Sequence, residues 1–118
     1  MIKSFTDLNV WQEGHSLTLE IYKVCKNFPK EEVYGLSSQL KRAAISITSN
    51  ISEGFGRSSS KDRHHFWVMA DGSCYEVKNQ LILARDLKYI SIAEYQSLLL
   101  KEDNTHKLLH GLLRSHNV

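Results

Sequence analysis

The sequence predicts an all-α protein folded as an antiparallel up-down-up-down four-helix bundle, on three observations. Four segments repeat their apolar residues every three or four positions. The connections between them are short, which makes sequence neighbours antiparallel. A single proline and six glycines among 118 residues are too few for a sandwich or barrel, whose many turns consume both. The length gives one domain, residues 1–118, able to fold without disulfide or metal.

The first helix is expected over residues 7–27, capped by Thr6 or Asp7 and stopped by Pro29. Val10, Leu17, Ile21, Val24 and Phe28 form one apolar stripe, with Gln12, Glu13, Ser16, Glu20 and Lys23 on the far side. Trp11, Tyr22 and Cys25, with His15 and Thr18, make a second stripe beside the first. An apolar arc this wide exceeds what one core requires. Either a neighbouring subunit covers Trp11, His15 and Tyr22, or the helix is wedged between two others of its own bundle.

The second helix begins near Glu31 or Glu32, acids suited to the positive end of the helix dipole. Leu36, Leu40, Ala43, Ile47 and Ile51 form its core face. It ends around Gly54–Gly56, where glycine permits a left-handed C-cap. Ser59 or Ser60 starts the third helix, with Ser59 and Asp62 at capping-box spacing. Phe66, Ala70, Ser73, Val77, Leu81 and Ala84 lie on one face, flanked by Met69, Leu83 and Leu87. Ala70, Gly72 and Ser73 together invite close approach by another backbone. This helix fades near Tyr89. Ser91 and Glu94 form a capping box for the fourth, whose stripe is Tyr95, Leu98, Leu99, Leu109, Leu112 and Leu113.

The net charge is +2, and no segment forms a basic arm or acidic tail. Nucleic-acid contact therefore requires local clustering or repetition in an oligomer. Cys25 and Cys74 lack metal or redox spacing and read as buried thiols of a reducing compartment. No apolar run has the length of a transmembrane helix, and the first residues lack a signal peptide's apolar core. The expectation is a cytoplasmic protein without membrane contact.

Three polar constellations stand out. On the second helix Gln39, Arg42, Ser46, Asn50, Glu53 and Arg57 recur at i+3 or i+4 beside the apolar stripe. Such a ridge knits a network across helices or subunits, faces solvent, or lines a ligand site; its serines and asparagine are mediocre helix formers for a solvated face. Around the start of the third helix, Arg57, Lys61 and Arg63, with His64, place cations where they oppose the helix dipole. They suit a phosphate or other anion, or form a hydrophilic turn that is incidentally basic. On the fourth helix Glu102 and His106 fall within the apolar stripe, and His110 comes one turn later. Side chains four apart share a face, so this set suits either a divalent metal or a hydrogen-bonded pair at a bundle end or pore. The zincin pattern is absent, because Lys107 stands where glutamate is needed.

Residues 7–11 (DLNVW), 39–57 (QLKRAAISITSNISEGFGR) and 70–73 (ADGS) with Glu76 together resemble the 23S rRNA intervening-sequence protein family, also called the four-helix-bundle proteins. The resemblance implies an up-down-up-down bundle assembled into a ring, often of five subunits. It also adds Glu76 to the network or interface candidates. A related branch, the accessory protein of diversity-generating retroelements, resembles a basic barrel that binds a reverse transcriptase and nucleic acid. Two departures stand in this chain: Thr48 where many members carry proline, and the pair Cys74-Tyr75 in place of a smaller or aliphatic one. No P-loop, dinucleotide fingerprint, EF-hand loop or nucleophile setting is present. The expectation is a non-catalytic homo-oligomer, a pentamer by resemblance, that needs no cofactor and takes no small-molecule substrate. Its partner is RNA or an RNA-handling protein met through the basic rim, or protein alone if the bundle is purely a scaffold; the last alternative is a metal-dependent enzyme that uses the fourth helix.

Overall fold

The computed structural model describes residues 1–115. Four helices account for most of the chain: α1 (Asn9–Cys25), α2 (Leu36–Phe55), α3 (Ser60–Asp86) and α4 (Ile92–Ser115). Helix α1 packs on α2 and α4, and α3 packs on the same two, so the helices succeed one another around a four-helix bundle. The α2–α3 contact is the most extensive. Overall extents of 43 × 25 × 22 Å match the length of α3, about 40 Å at 1.5 Å per residue.

The core is the set of stripes the periodicity predicts. Val10, Leu17, Ile21, Val24 and Phe28 of the first segment are buried, as are Leu36, Leu40, Ala43, Ile47 and Ile51 of α2. Each large aliphatic side chain so buried contributes roughly 1.5–3 kcal/mol. Both cysteines are buried and unbridged. None of the described helices is long and apolar enough to cross a membrane.

The helix ends differ from the expected ones in instructive ways. Ser4 and Asp7 form a reciprocal capping box, but it opens a separate 3-10 turn, Phe5–Asp7, and α1 starts after it at Asn9. Glu31 and Glu32 lie in a second 3-10 turn, Lys30–Glu32. The Glu32 carboxylate nevertheless serves α2, accepting from the Leu36 amide at 2.9 Å and from the Tyr89 hydroxyl at 2.8 Å. These two bonds hold its carboxyl below the usual glutamate range. At the other end of α2, Gly56 keeps a right-handed conformation. The left-handed C-cap occurs instead after α3, at Lys88 with φ 63°. There the Tyr89 amide bonds the Ala84 carbonyl and the Lys88 amide bonds that of Arg85, both at 2.9 Å, which is a Schellman arrangement built without glycine. The caps at Ser59 and at Ser91 with Glu94 form as expected.

Glycines serve close packing at two crossings. A Cβ at Gly54 would sit 2.3 Å from Trp67 Nε1, and one at Gly14 would sit 3.1 Å from Thr48 Cγ2. The expected approach at Gly72 does not occur among the described residues, because nothing lies within 4 Å of its Cβ position. Helix α2 passes through Thr48 unbroken.

Helix α3 corrects the expected face. Its buried side chains include Trp67, Ala70, Ser73, Cys74, Val77, Gln80, Leu81 and Ala84, with Trp67 taking the place expected for Phe66. Met69, Leu83 and Leu87 do not flank this face. They point away from it and stay nearly half exposed.

Candidate functional site

The polar ridge of α2 divides by position. At its centre Asn50 donates to the Ser46 carbonyl at 2.8 Å and to its hydroxyl at 3.1 Å, and the Ser73 hydroxyl of α3 donates to Ser46 Oγ at 2.8 Å. Towards its ends Gln39, Arg42 and Glu53 are exposed or half-exposed in the single chain, as is Glu76 on α3. Glu53 pairs with Arg57 at 3.0 Å across one helical turn.

The basic turn is less free than its composition implies. Arg57 also lies over the Phe66 ring, 4.7 Å from its centroid. Arg63 is half-buried and donates through Nε to the Arg57 carbonyl at 2.7 Å, bracing the loop. Lys61 is exposed, and the half-buried His64 keeps its Nδ1 buried without a hydrogen-bond partner. On α1, the Trp11 ring stacks on His15 at 4.7 Å and meets Phe5 edge-on at 5.4 Å, while Lys41 lies over Tyr22.

The densest polar cluster lies between α3 and α4. Asp71 and Lys78 are two turns apart on α3, and Glu102, His106 and His110 succeed one another by single turns on α4. His106 and His110 direct their Nε2 atoms at one oxygen, Asp71 Oδ1, at 2.6 and 2.7 Å. On the inner side of His106, Nδ1 faces Lys78 Nζ at 3.3 Å and Glu102 Oε1 at 3.6 Å. An ammonium can only donate, so Nδ1 accepts from Lys78 and Nε2–H donates to Asp71. The expected set of Glu102, His106 and His110 is thus split, with Glu102 inside His106 and His110 outside it.

Glu102 is 0 % exposed, and neither carboxylate oxygen has a hydrogen-bond partner. Lys78 Nζ stands 3.4 Å from Oε2 and is shared with Asp103 at 3.1 Å. Burial pushes the Glu102 carboxyl up to about 7, against the pull of Lys78. Burial, then the nearby Glu102 and Asp71 charges, pushes the Cys74 thiol up as well, which makes it a poor nucleophile near neutrality. Burial also lowers His106, with Asp71 opposing. The Tyr75 ring covers His106 edge-on at 4.6 Å. Among the described residues, two sets of three donor atoms lie within 4.8 Å of one another: Asp71, His106 and His110, and Cys74, Glu102 and His106.

Asp71 and Lys78 are legible in the sequence only through pairing. Their seven-residue spacing puts both on the face of α3 that meets a histidine- and glutamate-bearing stripe. Within α3, Asp71 stands out only as part of the ADGS stretch that carries the family resemblance, and nothing marks Lys78.

A family model for the 23S rRNA-intervening sequence protein matches residues 6–111. Among solved structures, the fold is similar to a Bacteroides thetaiotaomicron protein described as being of unknown function and from the S23 ribosomal protein family. The TM-score is 0.82 and the identity 24 %, covering 89 % of this chain and 95 % of that one. No curated protein matches. The four-helix architecture and the match over nearly the whole length agree, and the chain belongs to the 23S rRNA-intervening sequence protein family.

Proposed function

We propose that this protein is a non-catalytic cytoplasmic interaction module that works as a homo-oligomer, with RNA or an RNA-handling protein as its partner. The observation that carries the oligomer is the outward face of α3. Val68, Met69, Ile82, Leu83 and Leu87 are each 41–46 % exposed, on an arc about 140° wide opposite the buried one. These five apolar side chains share the arc with Glu76, Asn79 and Asp86, a mixed face whose apolar members the single bundle leaves uncovered and a second partner would bury. Gly72, with open space above it, lies midway along this arc and lets a second copy's backbone come close. Light scattering at micromolar concentration is expected to give a multiple of the 13.6 kDa chain mass; a well-folded monomer contradicts the reading.

The RNA partner is supported by the family's tie to rRNA genes and by Arg57 and Lys61, which stay accessible beside the start of α3. Repeated around an oligomer, these charges form a rim suited to a nucleic-acid backbone. Arg57→Gln with Lys61→Gln removes them and leaves Arg63, which braces the loop, in place. Binding to a structured RNA, titrated with salt, should weaken uniformly across sequences. The salt slope should become shallower by about one for each phosphate that is no longer neutralised. Identical binding by parent and variant, or no binding by the parent at low salt, leaves the protein-only scaffold.

A further inference from the structure

We propose that Asp71, His106 and His110 form a binding site for a divalent transition-metal ion of the zinc type, between α3 and α4. This goes beyond the oligomeric reading and does not depend on it. The donor set is two imidazole nitrogens and one carboxylate oxygen, which suits zinc and its first-row neighbours over magnesium or calcium. The two nitrogens come from one helix at i, i+4, and the oxygen comes from the helix facing it, at 2.6 and 2.7 Å. Tetrahedral zinc, with bonds of about 2.0–2.1 Å, holds its ligand atoms about 3.3 Å apart. Fitting the ion therefore requires the carboxylate to withdraw by roughly 0.6 Å from each nitrogen and the two nitrogens, which lie within 4.8 Å of each other, to take the same spacing; the partly exposed Asp71 and half-exposed His110 side chains have room to do so.

The interior of the cluster fits the same assignment. A metal on Nε2 displaces the proton that Nε2 now gives to Asp71 and leaves His106 protonated at Nδ1. That Nδ1–H faces Glu102 Oε1, 3.6 Å away, and gives up the bond that Nδ1 now accepts from Lys78, whose ammonium has to turn to the Glu102 and Asp103 carboxylates at 3.4 and 3.1 Å. The fully buried carboxylate, both of whose oxygens lack a hydrogen-bond partner, gains a donor, and a carboxylate–histidine–metal arrangement results. The alternative set, Cys74 with Glu102 and His106, engages His106 through Nδ1, where the Lys78 ammonium already stands. His106 and His110 also border a surface groove of about 350 Å³ lined by Tyr75, Lys78, Asp103, Lys107 and Arg114. The half-exposed His110 and the partly exposed Asp71 open the donor set to the surface, where water can take the fourth position.

The test uses the untagged full-length chain with zinc chloride by calorimetry, and with cobalt(II) as a spectroscopic probe. The proposal expects one ion per chain, cobalt absorption bands of a low-coordinate nitrogen–oxygen site, and a melting temperature that rises with zinc. His110→Ala removes a half-exposed ligand without emptying the core and should weaken binding at least tenfold, as should Asp71→Asn. Glu102→Gln, if it folds, should weaken binding 10- to 100-fold. His65→Ala, on the exposed side of α3, should leave binding unchanged. Absence of zinc binding at 100-fold excess over micromolar protein, or binding indifferent to both His110→Ala and Asp71→Asn, overturns the assignment.

Discussion

At the scale of single residues, the decisive positions are those where a side chain meets another element with no spare room. Gly54 shows it most plainly. Its missing side chain admits the Trp67 indole, whose Nε1 donates to the Ile51 carbonyl at 3.2 Å. Gly54→Ala drives a methyl group into that ring, and we expect it to destabilise the protein by about 1–3 kcal/mol, read as a lowered urea midpoint with an unchanged m-value. An alanine tolerated without loss would show that the indole is not held as described. In the sequence Gly54 reads only as part of a helix stop. Its true constraint is the ring of a residue 13 positions later, which no local pattern announces. Glu102 and His106 are legible for the opposite reason, because a carboxylate and an imidazole inside a leucine stripe break the local rule.

At the scale of the helix, periodicity places the core faces of α1, α2 and α4, whereas the end signals are harder to read. The capping boxes at Ser4 and Ser91 obey the same chemistry, yet the first opens only a 3-10 turn and the second a full helix. The backbone just beyond the cap decides between them: Leu8 turns to extended conformation, and the chain must restart at Asn9. The α3 terminus shows a cap written in an unexpected residue. Lys88 takes the left-handed conformation at a cost of roughly 1–2 kcal/mol relative to glycine, and the two Schellman bonds offset it. Lys88→Gly should therefore stabilise the fold by about 1 kcal/mol, seen as a higher melting temperature with unchanged helicity. A loss of stability would mean that the lysine side chain contributes more than the backbone strain removes. The misplacement of Met69, Leu83 and Leu87 on α3 has its own cause. With apolar residues interspersed among Glu76, Asn79 and Asp86 on the outer face, the helix has only a weak polar side to fix its orientation, so the sequence leaves open which apolar residues the core takes.

At the scale of the molecule, that two-faced helix is what the fold leaves unresolved within one chain. The bundle closes its core with α1, α2 and α4, and the outer arc of α3 keeps two exposed apolar groups, Val68 with Met69 and Ile82 with Leu83 and Leu87, with Gly72, Tyr75, Glu76 and Asn79 between them. The wide arc on α1 is the interface that periodicity suggests, but Trp11 there is partly occupied by Phe5 and His15 of its own chain. The central claim is that a second copy covers the outer face of α3. Sedimentation velocity on the parent, on Leu83→Glu and on Leu19→Glu tests it most directly. Both substitutions put a charge on an exposed leucine, at 46 % and 59 % exposure respectively, so neither should disturb the core of the single bundle. The account predicts an oligomer for the parent and for Leu19→Glu, and a folded species of 13.6 kDa for Leu83→Glu. An oligomer that survives Leu83→Glu, or a parent that sediments as a folded monomer, would contradict it.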